Sequence, residues 1–144
     1  KFDPDGSCTR AQAVTFLWRA VGSPAAKSAE MHFTDVPAKA YYRDAVLWAV
    51  ENGIVKGTSE AKFTPDGICT RAEIVTLLWR LMQSPAASGA NPFADVAADA
   101  YYAQAVLWAV ERNITVGTSK AAFSPNAVCT RAAIVTFLYR ALEK

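Results

Sequence analysis

CTRAQ at residues 8–12, CTRAE at 69–73 and CTRAA at 129–133 are three versions of one phrase, and each opens a run of apolar residues at helical spacing. Thr9 with Gln12, and Thr70 with Glu73, have the Thr-x-x-Glu/Gln spacing of a capping box, in which hydroxyl and side-chain acceptor satisfy the free backbone donors of a helix start reciprocally. Thr130 with Ala133 keeps only half of it. Downstream, Ile74, Val75, Leu77, Leu78 and Leu81 in one copy, and Ile134, Val135, Phe137 and Leu138 in another, recur at intervals of three and four, the period of a helix with one buried face. Each CTRA phrase therefore starts a helix.

The phrases belong to a longer duplication. Residues 33–82 laid over 93–142, a constant offset of 60, share 30 identities in 50 positions without a gap. Residues 2–21 match 63–82 at an offset of 61, with 13 identities in 20, but correspond only to the second half of the unit. The chain thus reads as half a repeat (1–22) and two whole repeats (33–83 and 93–144), together one domain. Residues 22–32 and 83–92 are small, polar and proline-bearing, and read as surface linkers.

Inside each whole repeat a first helix precedes the CTRA helix. Tyr41, Tyr42, Ala45, Val46, Trp48, Ala49 and Val50 have helical spacing, and Gly53, replaced by Asn113 in the second copy, supplies the left-handed residue that ends such a helix. IVKGTSEAKFTPDG and ITVGTSKAAFSPNA follow, rich in turn formers. Strand-type alternation is absent. The expectation is an all-α fold of repeated helix-loop-helix units, with helices at 10–21, 40–52, 71–82, 100–112 and 131–142.

The whole chain has 144 residues, 52% hydrophobic and 19% charged, the composition of one well-cored domain. Its formal charge is +2, with the charges scattered singly, so no basic stripe offers itself to nucleic acid. No apolar run approaches the ~20 residues of a membrane span, and no basic-then-apolar leader opens the sequence. No membrane insertion is expected.

Arginine carries the strongest hint of a site. Arg10, Arg71 and Arg131 each fall at the first helical position, where the dipole disfavours a cation by about 0.3–1 kcal/mol. A recurring cation at a disfavoured position asks for compensation, either from a bound anion at the helix N-terminus or from a nearby Asp66 or Asp5. On the first of these readings, Arg71→Ala removes a ligand contact and leaves the fold as stable or slightly more so.

The ordered set of F-x-D-V (Phe33 and Phe93), an aromatic helix ending in GIVKGTS or ITVGTS, then F-x-P-D/N and TRAE or a variant resembles the S-layer homology domain. The resemblance covers nearly all the chain outside the linkers. It implies a three-pronged, pseudo-threefold helical domain at the bacterial cell wall or cell surface, extracellular, that anchors a larger protein by binding a secondary cell-wall polysaccharide, an acidic or pyruvylated glycan. In that family the motif arginine and the glycine-containing loop line grooves between repeats. Carried across, the ligand-binding residues are Arg10, Arg71, Arg131, Gly57, Thr58, Gly117 and Thr118.

The departures also carry expectations. CTRAQ and CTRAA lack the glutamate, so a groove that fails to bind is expected to be the one bordered by Ala133. The first repeat lacks its F-x-D-V helix, and the face of the first helix with Phe16, Leu17 and Trp18 is expected to be bare, favouring association or domain swapping. Cys8, Cys69 and Cys129 precede each capping threonine, where an apolar residue staples onto Ala13, Ile74 or Ile134; buried thiols are expected, with a three-thiolate metal site the sharper alternative. Trp18, Trp48, Trp79 and Trp108 lie on apolar faces, and core packing is favoured over sugar stacking. His32, the only histidine, sits in a linker with no recurring partner. No catalytic set, metal or cofactor is expected, and the alternative to a glycan anchor is a protein-protein assembly module of the envelope.

Overall fold

The computed structural model describes residues 6–142. Five α-helices follow in order: α1 Arg10–Ala20, α2 Arg43–Glu51, α3 Arg71–Leu81, α4 Ala103–Glu111 and α5 Arg131–Leu142. Both capping boxes form. Thr9 Oγ1 accepts from the Gln12 N–H at 3.1 Å while the Thr9 N–H donates to Gln12 Oε1 at 2.9 Å, and Thr70 with Glu73 repeats this at 3.2 and 2.8 Å. Thr130 accepts from the Ala133 N–H alone, as the missing acceptor requires.

α2 and α4 begin three residues later than the spacing predicts. Residues 40–42 and 100–102 form turns instead, closed by the Arg43 N–H on the Ala40 carbonyl and the Ala103 N–H on the Ala100 carbonyl. Neither Tyr42 nor Tyr102 offers a side-chain cap, so nothing extends these helices backward. Their ends are as expected. Gly53 (φ +70°) and Asn113 (φ +58°) adopt the left-handed conformation, and the following isoleucine N–H reaches back to Ala49 or Ala109, the closure of a Schellman motif.

The repeats are joined where the CTRA phrases meet. The Cys8 N–H donates to the Cys129 carbonyl, Cys129 to Cys69, and Cys69 to Cys8, at 3.0, 3.0 and 2.8 Å: a closed ring of three backbone hydrogen bonds. A second ring lies beside it, from the Arg10 N–H to Gly67, Arg71 to Ala127 and Arg131 to Gly6. Among the described residues the only strand-like pairings are the three isolated bridges this creates, Ser7 with Thr130, Thr9 with Ile68 and Thr70 with Val128.

Helix pairing corrects one expectation. Each repeat's first helix packs on the second helix of the repeat before it, α2 along α1 and α4 along α3. The face of α1 is therefore covered: Leu17 is fully buried, and Phe16 and Trp18 are half-buried. The helix without such a companion among the described residues is α5, whose Val135, Tyr139 and Leu142 are exposed.

The tryptophans serve packing. Trp48 and Trp108 are buried in the core, and Trp18 and Trp79 donate their indole N–H to the Pro24 and Pro85 carbonyls at 2.8 Å, tying each linker to its helix. All three thiols are free and buried, in one core with Ala13, Ile74 and Ile134. Burial, first of all, pushes Cys8 and Cys69 up to about 12 and Cys129 to about 11, which keeps them protonated and unreactive at neutral pH.

Candidate functional site

The loops after α2 and α4 are built to meet the arginines of the preceding repeat. In each F-x-D-V turn the carboxylate binds two backbone N–H groups of the F-x-P segment: Asp35 those of Phe63 and Thr64 at 2.8 Å, Asp95 those of Phe123 and Ser124 at 2.9 Å. Burial acts to raise Asp35, but these donors outweigh it and hold its carboxyl below the usual value. The Phe123 N–H is the main cause of the same lowering at Asp95. The turn fixes Phe63 and Phe123, both fully buried. Gly57 and Gly117 lie so close beneath that a Cβ would come within 2.6 Å of the Ser59 carbonyl or 2.5 Å of that of Ala122. Thr58 and Thr118 close the same loops through their hydroxyls, to the Lys62 and Ala122 carbonyls and to Thr64 and Ser124.

Onto this frame comes the guanidinium. Arg10 Nε donates to the Phe63 carbonyl at 2.9 Å and Nη2 to the Lys56 carbonyl at 2.5 Å, with Cζ 4.6 Å from the Phe63 ring centre. Arg71 repeats the clamp on Phe123 and Val116, both at 3.0 Å, with Cζ again 4.6 Å from the ring. The compensation sought for a cation at the helix start is therefore a set of carbonyl oxygens and an aromatic face from the next repeat. Among the described residues the only ion pair is His32 with Glu30, so Asp66 does not fill that role, and Asp5 lies outside them.

At α1 and α3 the first-turn donors already have protein partners. At α3 the Arg71, Ala72 and Glu73 N–H groups donate to Ala127, Pro125 and Thr70 Oγ1; at α1 the partners are Gly67, Pro65 and Thr9 Oγ1. These donors are all engaged by the protein, which leaves nothing for a carboxylate at that point. Arg71 holds two hydrogen bonds and a ring contact, so its removal is expected to lower stability rather than leave the fold as stable or slightly more so.

What remains open is a groove between α1 and α3, about 210 Å³, where Arg10 and Gly57 meet four residues that sequence reasoning did not nominate: Lys56, Glu73, Arg80 and Tyr101. Arg80 reaches it from the last turn of α3, steadied by a bond to the Ile54 carbonyl. Tyr101 is 61% exposed and set edge-on to Tyr102, with ring centres 5.0 Å apart. Burial and the adjacent Glu73 raise its hydroxyl above the ordinary value, so it stays a neutral donor and an apolar ring. Arg10, Lys56 and Arg80 line the groove together with one acidic residue, Glu73, whose carboxylate is engaged by its capping bond. The recurrent Arg19, Arg80 and Arg140, and the Tyr-Tyr pairs at 41–42 and 101–102, were the available signals.

The equivalent place between α3 and α5 differs. Arg71 and Gly117 are present, but Val116 stands for Lys56, Ala133 for Glu73 and Phe137 for Leu77. Phe137 is buried with its ring centre 5.9 Å from the Arg71 guanidinium, and burial lowers the pKa of Arg71. At the third position the Arg131 N–H binds the Gly6 carbonyl, and Tyr41 and Arg19 stand where Tyr101 and Arg80 stand in the first groove. The phenylalanine equivalent to Phe63 is Phe2, outside the described residues.

The S-layer homology domain profile matches residues 32–75 and 92–134, more than half the chain. The chain belongs to the S-layer homology domain family. It is 31% identical over 146 residues to the surface-layer 125 kDa protein of Lysinibacillus sphaericus, covering 99% of this chain and 12% of that protein. It is 32% identical over 124 residues to the S-layer protein sap of Bacillus anthracis and to the S-layer protein of Bacillus thuringiensis subsp. finitimus, each match covering 85% of this chain and 15% of the other. The chain thus spans less than a sixth of the curated relatives it matches. The family is one of extracellular cell-surface anchoring modules rather than enzymes, and no helix among the described residues is long and apolar enough to cross a membrane.

Proposed function

We propose that this S-layer homology domain anchors its protein non-covalently by binding a secondary cell-wall polysaccharide, and that the groove between α1 and α3 receives an acidic sugar of it, such as one bearing a pyruvyl ketal. One observation carries the reading: Arg10, Lys56 and Arg80 line one groove with a single, already bonded Glu73. A carboxylate there gains from three cations at once, and Tyr101 supplies a flat apolar surface for a sugar ring. Arg10 has two N–H groups on loop carbonyls and others remaining for a ligand. Gly57 lines the groove, and Thr58 holds its loop. Arg71, Arg131, Gly117 and Thr118 are the corresponding residues of the other two positions, where the substitutions around Arg71 predict weaker binding.

The test has two arms. Sedimentation with purified wall sacculi, before and after chemical removal of the secondary polymer, separates a glycan anchor from a module that assembles on protein. Titration calorimetry with polymer fragments, with and without the pyruvyl ketal, then addresses the carboxylate. Lys56→Ala, at an exposed side chain, is expected to weaken binding several-fold while leaving the thermal melt unchanged. Equal binding by sacculi stripped of polymer overturns the reading.

A further inference from the structure

α2 and α4 are identical over their last seven residues, AVLWAVE, and differ only in the first two, Arg43 and Asp44 against Ala103 and Gln104. Both differing residues of α2 line one pocket of about 260 Å³ beside the linker at 22–32, together with Trp18 of α1, Leu47 and Ala26. In the second copy the protein closes this place itself, because the Ala87 N–H donates to Gln104 Oε1 at 3.2 Å and ties the linker to the helix. Asp44 is one methylene shorter, and among the described residues it takes no such bond from Ala26. Arg43 spends one N–H on the Ala29 carbonyl at 2.8 Å and keeps the others. The two do not pair with each other, since the only ion pair among the described residues is His32 with Glu30. Trp18 contributes apolar surface, its one polar atom being engaged by the Pro24 carbonyl.

We propose that this pocket binds a neutral sugar unit of the wall polysaccharide, as a second subsite that shares no residue with the groove between α1 and α3. The proposal rests on the glycan-anchor reading above. Charge sets the class of sugar. Arg10, Lys56 and Arg80 outnumber Glu73 in the groove and favour an anion, whereas Arg43 and Asp44 cancel, so that an ionised sugar gains from one what it loses to the other. A neutral sugar meets both at once. One hydroxyl donates to Asp44, its neighbour accepts from Arg43, and ring C–H groups pack on the apolar surface of Trp18. The volume lies below the roughly 300–1,000 Å³ of a drug-sized ligand site, which suits one sugar unit rather than an oligosaccharide.

The experiment titrates the full chain with two preparations of purified secondary polymer fragments, one intact and one stripped of pyruvyl ketals by mild acid, and follows the indole N–H and tyrosine ring signals by NMR. Ketal-free fragments are expected to shift Trp18 and to leave Trp79 unmoved, since its equivalent place carries Ala103 and Gln104. Arg43→Ala with Asp44→Gln gives α2 the two residues that α4 carries in an otherwise identical helix, so the fold is expected to hold and the melting temperature to stay within a few degrees. This double variant is expected to lose the Trp18 shift and to bind ketal-free fragments roughly tenfold more weakly, the value of one hydrogen bond to a charged group. Intact fragments are expected to shift Tyr101 in it as before. A Trp18 shift that survives the double substitution, or a Trp18 signal unmoved by ketal-free fragments at millimolar concentration, overturns the proposal. So does a shift of Trp18 by glycine in place of the fragments, which makes a zwitterion the occupant. If Trp18 responds while Tyr101 ignores intact fragments, the acidic-sugar groove fails and the neutral subsite stands.

Discussion

The Arg10 groove and its duplicate at Arg71 share a frame and differ in their lining. In both, Nε and Nη2 hold two carbonyls of the next repeat and the guanidinium lies 4.6 Å from a buried phenylalanine ring centre. Around that common clamp, the first has Lys56, Glu73 and Leu77 where the second has Val116, Ala133 and Phe137. The comparison separates two roles of one arginine. Joining repeats needs only the clamp, whereas receiving an anion needs further cations and an unfilled space beside it.

The largest effect expected is on the shared frame. Phe63→Ala and Phe123→Ala each remove a fully buried ring and should cost about 3–5 kcal/mol of stability, by similar amounts, in chemical denaturation. A much smaller cost at either position would mean that the two frames are not equivalent. The lining comes next. Lys56→Val with Leu77→Phe gives the first groove the residues of the second, and should weaken polymer binding in calorimetry by roughly tenfold to a hundredfold, the value of about 1.5–3 kcal/mol for a charge-assisted contact and access to it. Val116→Lys, Ala133→Glu and Phe137→Leu together make the reciprocal change, and a second binding event should appear.

Arg71→Ala sharpens the division of roles. It should lower stability by about 1–3 kcal/mol through two lost hydrogen bonds and a ring contact, while polymer affinity falls little. Arg10→Ala should show the same loss of stability and a clear loss of affinity. Equal affinities for the two variants would return Arg71 to the binding surface.

The smallest effect is on acid stability. The carboxyls of Asp35 and Asp95 are held below their unfolded values, so the stability they confer is fully present above about pH 4, the ordinary carboxyl range, and is lost as pH falls through their folded values. Asp35→Asn and Asp95→Asn should each flatten the pH dependence of the melting temperature below pH 4 and leave the two loops equally affected. A thiol reagent, finally, should label Cys8, Cys69 and Cys129 no faster than the chain unfolds, since all three are buried and protonated.

Whatever is settled within one turn of chain is legible in the residues alone. The capping boxes at Thr9 and Thr70, the half box at Thr130, the stops at Gly53 and Asn113, the duplication and the five helices follow from side chains acting on neighbouring backbone, or from a period that one face of a helix imposes. The starts of α2 and α4 were less legible because Tyr42 and Tyr102 supply no cap. Where each guanidinium ends depends on the packing of the repeats, because its acceptors, Lys56 and Phe63 for Arg10, lie 46 and 53 residues away and are backbone carbonyls that any residue could have presented. That packing also decided which helix face is exposed among the described residues. The sequence alone points to a bare α1, but each first helix packs on the second helix of the preceding repeat, so among the described residues the exposed face is that of α5. Residue periodicity gives the width of an apolar face; the order in which repeats pack gives its occupant.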